Sequence, residues 1–208
     1  MIRALLLLAA ACLSALWLSA APLSAQPPAP PPPAAADVRV ALDTDAGRIV
    51  VAVHVGKAPV TARNFLRYVD QKRFDGTSFY RGVGSADYGF VQGGAQNDPK
   101  RILPPIAHEP TSQTGLAHDE GALSMARYAP GTANGDFFVV LGAMPAMDAN
   151  PQAAGDNQGF AVFAHVVEGM DIVRAILAMP KSPTKGEGVM KGQMLARPVR
   201  IVTARRLP

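Results

Sequence analysis

The feature that most limits the fold is a series of short β-branched and apolar runs, set between Gly- and Pro-rich breaks, with room for only two helices. Val38, Val40 and Leu42 alternate with Arg39, Ala41 and Asp43. A turn follows at Asp45-Ala46-Gly47, and Ile49 to Val55 is a second β-branched run. Period-two alternation across such a turn predicts a hairpin. Phe79 to Val83, Phe90 to Gln92, Ala122 to Ala126, Phe137 to Leu141, Phe160 to Val166 and Val199 to Ala204 read as further strands. One helix opens at Pro59, where a missing N–H does no harm, and carries Val60, Asn64, Phe65, Tyr68 and Val69 at helical spacing. A second, Met170 to Met179, has Ile172, Val173, Ile176 and Leu177 apolar. Residues 95–119 and 180–195 read as loops. Seven or eight short strands with two helices predict an all-β barrel or sandwich.

The first 36 residues are a separate object. Arg3 is followed by an apolar run of about 15 residues, short of the roughly 20 that a spanning helix needs. A positive start, an apolar stretch of this length and small residues after it predict a secretory signal over 1–25, cut after Ala25. Residues 26–36 hold only Pro and Ala after Gln26 and predict an extended linker. The domain then spans 37–208. The expected location is exported and periplasmic, with no stable membrane insertion after cleavage. Cys12 and Trp17 leave with the signal, so the mature chain has neither residue type. Losing Arg3 lowers the formal charge from +4 to +3. From Pro180 onward seven basic residues face only Glu187. They are spread among Pro and Gly without interleaved aromatics, which predicts a solvated loop and edge strand and no nucleic-acid partner.

The usual site chemistries fail in turn. His54, His108, His118 and His165 form no pair at metal-ligand spacing, and each reads as a surface or strand residue. There is no Gly-x-Ser-x-Gly elbow and no mature Cys nucleophile. Gly82-Val83-Gly84 lacks the third glycine and following helix of a nucleotide loop. No metal or cofactor is expected. What remains is an apolar and aromatic set with one arginine among it: Phe79-Tyr80-Arg81, Phe90-Val91-Gln92-Gly93-Gly94, Met125, Phe137 and Phe138.

Those strings, with Ser124-Met125-Ala126-Arg127, resemble the cyclophilin family of peptidyl-prolyl isomerases, and are similar to its bacterial exported members. Ala58 to Phe65 looks like that family's first helix, and Phe160 to Asp171 like its late strand and helix start. The resemblance runs in order from about Val38 to Leu207. It implies an all-β fold, an eight-stranded antiparallel barrel with a helix over each open end. It implies an enzyme that isomerises X–Pro bonds, assists the folding of exported proteins, binds proline-containing unfolded or extended polypeptides, and works as a monomer. The other reading is a proline-segment binding module or chaperone with little turnover.

By the same resemblance Arg81 is the catalytic donor to the prolyl nitrogen, and Gln92 orients peptide and arginine. Phe138 floors the pocket, Met125 binds substrate from the supporting strand, and Phe90 stands on the wall. Two departures stand out. Tyr80 occupies a position where the family usually has His, and Asp136 one where it usually has Gln. A carboxylate at 136, close to Arg81, would be held ionised by that charge and would compete as a surplus acceptor with substrate carbonyls. Gly155 to Gly159 replaces a loop that in better-known members carries a Trp, and Phe160 replaces a His, which makes cyclosporin binding doubtful.

Overall fold

The computed structural model describes residues 36–85 and 87–208. The signal at 1–25 and the linker up to residue 35 lie outside the described residues. Eight strands follow in chain order: β1 Val38–Thr44, β2 Gly47–Val53, β3 Ser78–Ser85, β4 Tyr88–Gly94, β5 Ala122–Met125, β6 Asp136–Leu141, β7 Ala161–Glu168 and β8 Met194–Arg206. They close into a barrel in the order β1-β2-β7-β5-β6-β4-β3-β8, every neighbouring pair antiparallel. The expected barrel is therefore present.

Closure follows from the side-chain pattern. Successive residues of a strand point to opposite faces, so Val40 and Leu42 on β1, and Ile49, Val51 and Val53 on β2, line the interior fully buried. Aromatic rings fill its middle. Phe137 on β6 meets Phe65, Phe74 and Phe79 with ring centroids 5.6, 5.4 and 5.8 Å away, all near edge-on. Burying each such ring contributes about 2–3 kcal/mol. Phe65 comes from helix α1 (Pro59–Asp70), which covers one opening and reaches Phe163 of β7 at 5.0 Å. A second capping helix, α3 (Met170–Ala178), buries Val173, Ile176 and Leu177.

The sequence reading needs adjusting in three places. The loop at 95–119 contains a four-residue helix, α2 (Thr111–Thr114), which ends on Gly115 at φ 67°. The strands β3 and β4 run on past the expected ends into a hairpin that pairs Ser85 with Tyr88. The basic C-terminal segment is not an edge strand: β8 is 13 residues long and pairs with β1 on one side and β3 on the other. Its last cations are paired in forked contacts, Arg205 with Asp75 and Arg206 with Asp70.

The N-terminus of α1 has no cap of its own, since Ala58 offers no side-chain acceptor. Glu109, buried in the long loop, supplies one from 48 residues away. Its carboxylate accepts from the backbone N–H of Val60 (3.0 Å) and Thr61 (2.7 Å) and from the Thr61 hydroxyl (2.6 Å). An anion at that helix end meets both unpaired donors and the positive end of the helix dipole. Glu109→Ala is expected to cost about 2 kcal/mol of stability, which for a domain of this size lowers Tm by about 4–8 °C. Thermal unfolding followed by circular dichroism checks this; an unchanged Tm would remove Glu109 from the cap.

Candidate active site

The site lies on the outer wall of the barrel, because the inside is filled. Arg81, Gln92, Phe138 and Ser124 are successive cross-strand partners over β3, β4, β6 and β5. One irregularity brings a fifth residue to this row. The register of β3 shifts between Phe79 and Arg81 against both of its neighbours, leaving Tyr80 as the extra residue of a bulge. Phe79 points into the core, while Tyr80 and Arg81 both line the outer cavity. A bulge can re-aim consecutive side chains in this way. The cavity has a volume of about 420 Å³.

Aromatic and apolar side chains form part of its wall. Phe138, 3 % exposed, lies between Phe90 (5.3 Å between centroids) and Phe160 (5.4 Å, edge-on). Met147, Ala126 and Met190 add to this apolar part, and Gln96, Asn97, Thr132 and Asn134 to a polar one. Phe90 stands on the wall of this cavity.

Arg81 crosses the rim. Its Cζ sits 5.2 Å from the centre of the Phe90 ring, close enough for a cation–π contact. Its Nη1–H donates to Gln92 Oε1 at 2.8 Å. Its Nε–H and one Nη2–H donate to Gln193 Oε1 at 2.9 and 2.6 Å. A guanidinium has five N–H donors; three are used, so one on each Nη remains. Both holders are neutral amides, and the charge stays undiminished. Burial pulls the guanidinium's pKa below its ordinary value, but an arginine remains a cation at any working pH.

Gln92, buried, continues the chain of bonds: its Nε2–H donates to Tyr80 Oη at 2.7 Å. Tyr80 and Asp136 both line the cavity. Burial, with Asp136 beside it, pushes the phenol well above its usual range. Among the described residues Arg81 forms no ion pair with Asp136, whereas the sequence reading has that charge holding the carboxylate ionised. Its Oδ1 accepts the Gln96 backbone N–H at 2.8 Å. Burial raises its pKa, opposed by the Gln96 N–H. The charge of Arg81 is not what sets its ionisation, and the carboxylate packs close against the backbone. Gly94 makes this possible: at φ 130°, a Cβ there would lie 2.6 Å from Asp136 Oδ1 and 2.3 Å from the Gly135 carbonyl.

Met125 is corrected as well. It is 2 % exposed and sits opposite Phe137 on the inward side of β5, while the next residue, Ala126, reaches the cavity.

Sequence reasoning missed three residues that shape the site. Gln193 lies in a loop with no pattern of its own. His118 is not a surface residue: 1 % exposed, it stacks behind Phe138 at 6.0 Å with the ring planes 11° apart. Its Nδ1–H donates to Asp148 (2.6 Å), and Nε2 accepts from the Ser124 hydroxyl (3.0 Å). Burial pulls its pKa down despite Asp148, so the ring is held neutral. Arg127 grips the loop before β7, donating in a fork to Asp156 (2.8 and 2.9 Å) and to the Gly159 carbonyl (2.9 Å). Among the described residues no group of three or more His, Cys, Asp or Glu side chains could hold a metal ion.

Comparison with known proteins agrees with this geometry. Residues 39–205 match the family described as cyclophilin type peptidyl-prolyl cis-trans isomerase/CLD. A peptidyl-prolyl cis-trans isomerase of Streptomyces antibioticus is 35% identical over 150 residues, 71% of this chain and 87% of the relative. One from Acinetobacter baylyi is 33% identical over 172 residues, 81% of this chain and 85% of its own. Among solved structures, a cyclophilin-type isomerase from Cryptosporidium parvum superposes with a TM-score of 0.67 at 17% identity, covering 83% of this chain and 98% of its own. With the match spanning the whole barrel, the chain belongs to the cyclophilin-type peptidyl-prolyl cis-trans isomerase family.

Proposed function

We propose that this protein isomerises X–Pro bonds in unfolded or extended polypeptides, with Arg81 as the catalytic residue, and that it acts on exported proteins outside the cytoplasm. The observation that carries the mechanism is the Arg81 guanidinium, fixed by two amides with two N–H groups unused, at the edge of an aromatic pocket.

The chemistry asks for little more. Rotation about an X–Pro bond is opposed by about 18–20 kcal/mol because amide resonance is lost on twisting. As the bond twists, the prolyl nitrogen becomes pyramidal and its lone pair can accept a hydrogen bond. It accepts poorly while the amide is planar. A donor held at that nitrogen therefore stabilises the twisted state over both planar ones, which is the condition for catalysis. Phe90, Phe138, Phe160 and Met147 offer the proline ring an apolar seat. They also keep water from the nitrogen, so a single charged donor acts at low dielectric. No bond to the enzyme forms and no proton needs to move.

The export part rests on the sequence alone: the short apolar run after Arg3, the small residues at 19–25 and the Pro/Ala linker. Mass spectrometry of the secreted protein should give a chain starting at Gln26, with no tryptophan fluorescence once Trp17 is gone. A mature chain beginning at Met1 would overturn it.

A direct isomerisation assay on a short X–Pro peptide tests the mechanism. Removing one preorganised donor typically costs about 10²–10³ in rate. Arg81→Ala should lower kcat/KM by that much with native far-UV circular dichroism. Gln193→Ala should lower it about tenfold, since one hydrogen-bond partner of a charged group is lost while the charge remains. Full turnover in a folded Arg81→Ala protein would remove Arg81 from the mechanism, and peptide binding without any wild-type turnover would make the protein a binding module.

A further inference from the structure

The cavity is lined by one carboxylate, and among the described residues that carboxylate has no counter-charge. Asp136 is 9 % exposed and lies in the polar part of the lining with Gln96, Asn97, Thr132 and Asn134, all neutral. Its Oδ1 accepts the Gln96 N–H at 2.8 Å. Among the described residues its other oxygen, Oδ2, has no hydrogen-bond partner. Nor is Oδ2 sealed off. The one side-chain atom both shut from solvent and without a partner is Asn64 Oδ1. Asp136 Oδ2 therefore meets solvent, and on this wall the solvent is that of the cavity. A carboxylate withdrawn so far from water is costly unless a cation or further donors reach it, and the oxygen left over is accessible from where a substrate lies.

The two arginines of the cavity do not serve it. Arg81 donates to Gln92 and Gln193, and Arg127 closes its fork on Asp156. The strand register places the carboxylate relative to the apolar seat. Phe138 and Asp136 are two residues apart on β6, opposite Gln92 and Gly94 of β4. Alternate residues of a strand share a face, so both belong to the outer side. Two residues of strand span about 7 Å, which is also the repeat between alternate side chains of an extended peptide. With a proline ring on Phe138, a substrate side chain two residues away reaches Asp136.

We propose that Asp136 is a specificity-determining residue: it is the counter-charge for a Lys or Arg side chain two residues from the proline, so that the preferred substrates are basic X–Pro segments. The chemistry is complementary, since an ionised carboxylate only accepts and Lys and Arg only donate. Little water competes inside the cavity, so such a pair is stronger there than on an open surface. Burial raises the Asp136 pKa, and a substrate cation beside it favours the ionised form. A Glu in the same place would meet a like charge. The contact is remote from the twisting bond, so it forms equally in the planar and twisted states and acts on KM, not on kcat.

The proposal rests on the isomerase reading, and the test keeps the two apart. Turnover is measured on peptides alike except for Lys, Gln or Glu two residues before the proline, and on a second set with the change two residues after it. In one of the sets the Lys peptide should have a KM about tenfold below that of the Gln peptide. The Glu peptide should lie above both, and kcat should stay within about twofold throughout. Added salt should narrow the differences. In Asp136→Asn the three peptides of that set should agree in KM within about twofold. Equal KM values across both sets in wild type would overturn the proposal, whether or not the variant folds. A Lys preference that persists in a folded Asp136→Asn protein would overturn it too, because the cation would then be recognised elsewhere. Absence of wild-type turnover would sink the isomerase reading alone. The same peptides, fluorescently labelled, are then compared by anisotropy: tighter binding of the Lys peptide supports the proposal, and equal Kd values overturn it.

Discussion

Closing the sheet into an eight-stranded barrel leaves an interior just wide enough for its own side chains, and here Phe65, Phe74, Phe79, Phe137 and Phe163 occupy it. Everything chemical must then happen on the outer wall. That wall faces water, which suits neither an apolar grip nor a strong electrostatic interaction. Three loop segments supply the cover that the barrel lacks. The stretch after β6 brings Met147 and Phe160, the turn before β8 brings Met190 and Gln193, and the residues after β5 bring Ala126 and Arg127. The outward side of β6, with Asp136 and Phe138, is consequently as buried as its inward side.

On that wall the bulge at Tyr80 decides what the site can be. In a regular strand Arg81 would share the inward side with Phe79. The register shift turns it outward beside Tyr80, and both then join the row that runs through Gln92 and Phe138. An arginine so exposed to a cavity could be held by a carboxylate, and the grip would be firmer. It would also cancel the charge. Holding Arg81 by Gln92 and Gln193 keeps the guanidinium oriented while leaving its charge and two donors available.

The barrel and its two caps were legible in the sequence because period-two and helical patterns are local, as Val38-Val40-Leu42 and Phe65-Tyr68-Val69 show. Arg81, Gln92, Phe90 and Phe138 were legible through strings that resemble a known family, not through spacing. Met125 was placed with them by the same resemblance, but it faces inward, and its neighbour Ala126, one residue along and so on the other face, lines the cavity. Asp136 was set beside Arg81 through the same resemblance, whereas its carboxylate accepts from the Gln96 backbone, packed against Gly94. Gln193 and Glu109 act over 112 and 48 residues of separation, and no local pattern carries that information. His118 could not be told from a surface histidine, because what keeps it buried is Phe138 in front and Asp148 and Ser124 at its two nitrogens.

The electrostatics of the cavity follow from how each basic group near it is held. Two arginines line it, and they are treated in opposite ways. Arg127 lies 5.1 Å over the Phe160 ring, but its fork is closed on Asp156 and the Gly159 carbonyl, so its charge is balanced where it stands. Arg81 is held by amides and is not balanced. His118, behind the floor, would be a third positive group if protonated; burial lowers its pKa, and the Asp148 and Ser124 contacts fix one neutral tautomer. Among the described residues Asp136 forms no ion pair with Arg81, and its Oδ1 accepts from the Gln96 backbone. A peptide lying in the pocket therefore meets one strong, unspent donor. On the proposed mechanism an amide carbonyl can be received at several places in such a cavity, but a developing lone pair on nitrogen is stabilised only beside that donor, and the uneven treatment of the basic groups puts that place at one edge of the apolar wall.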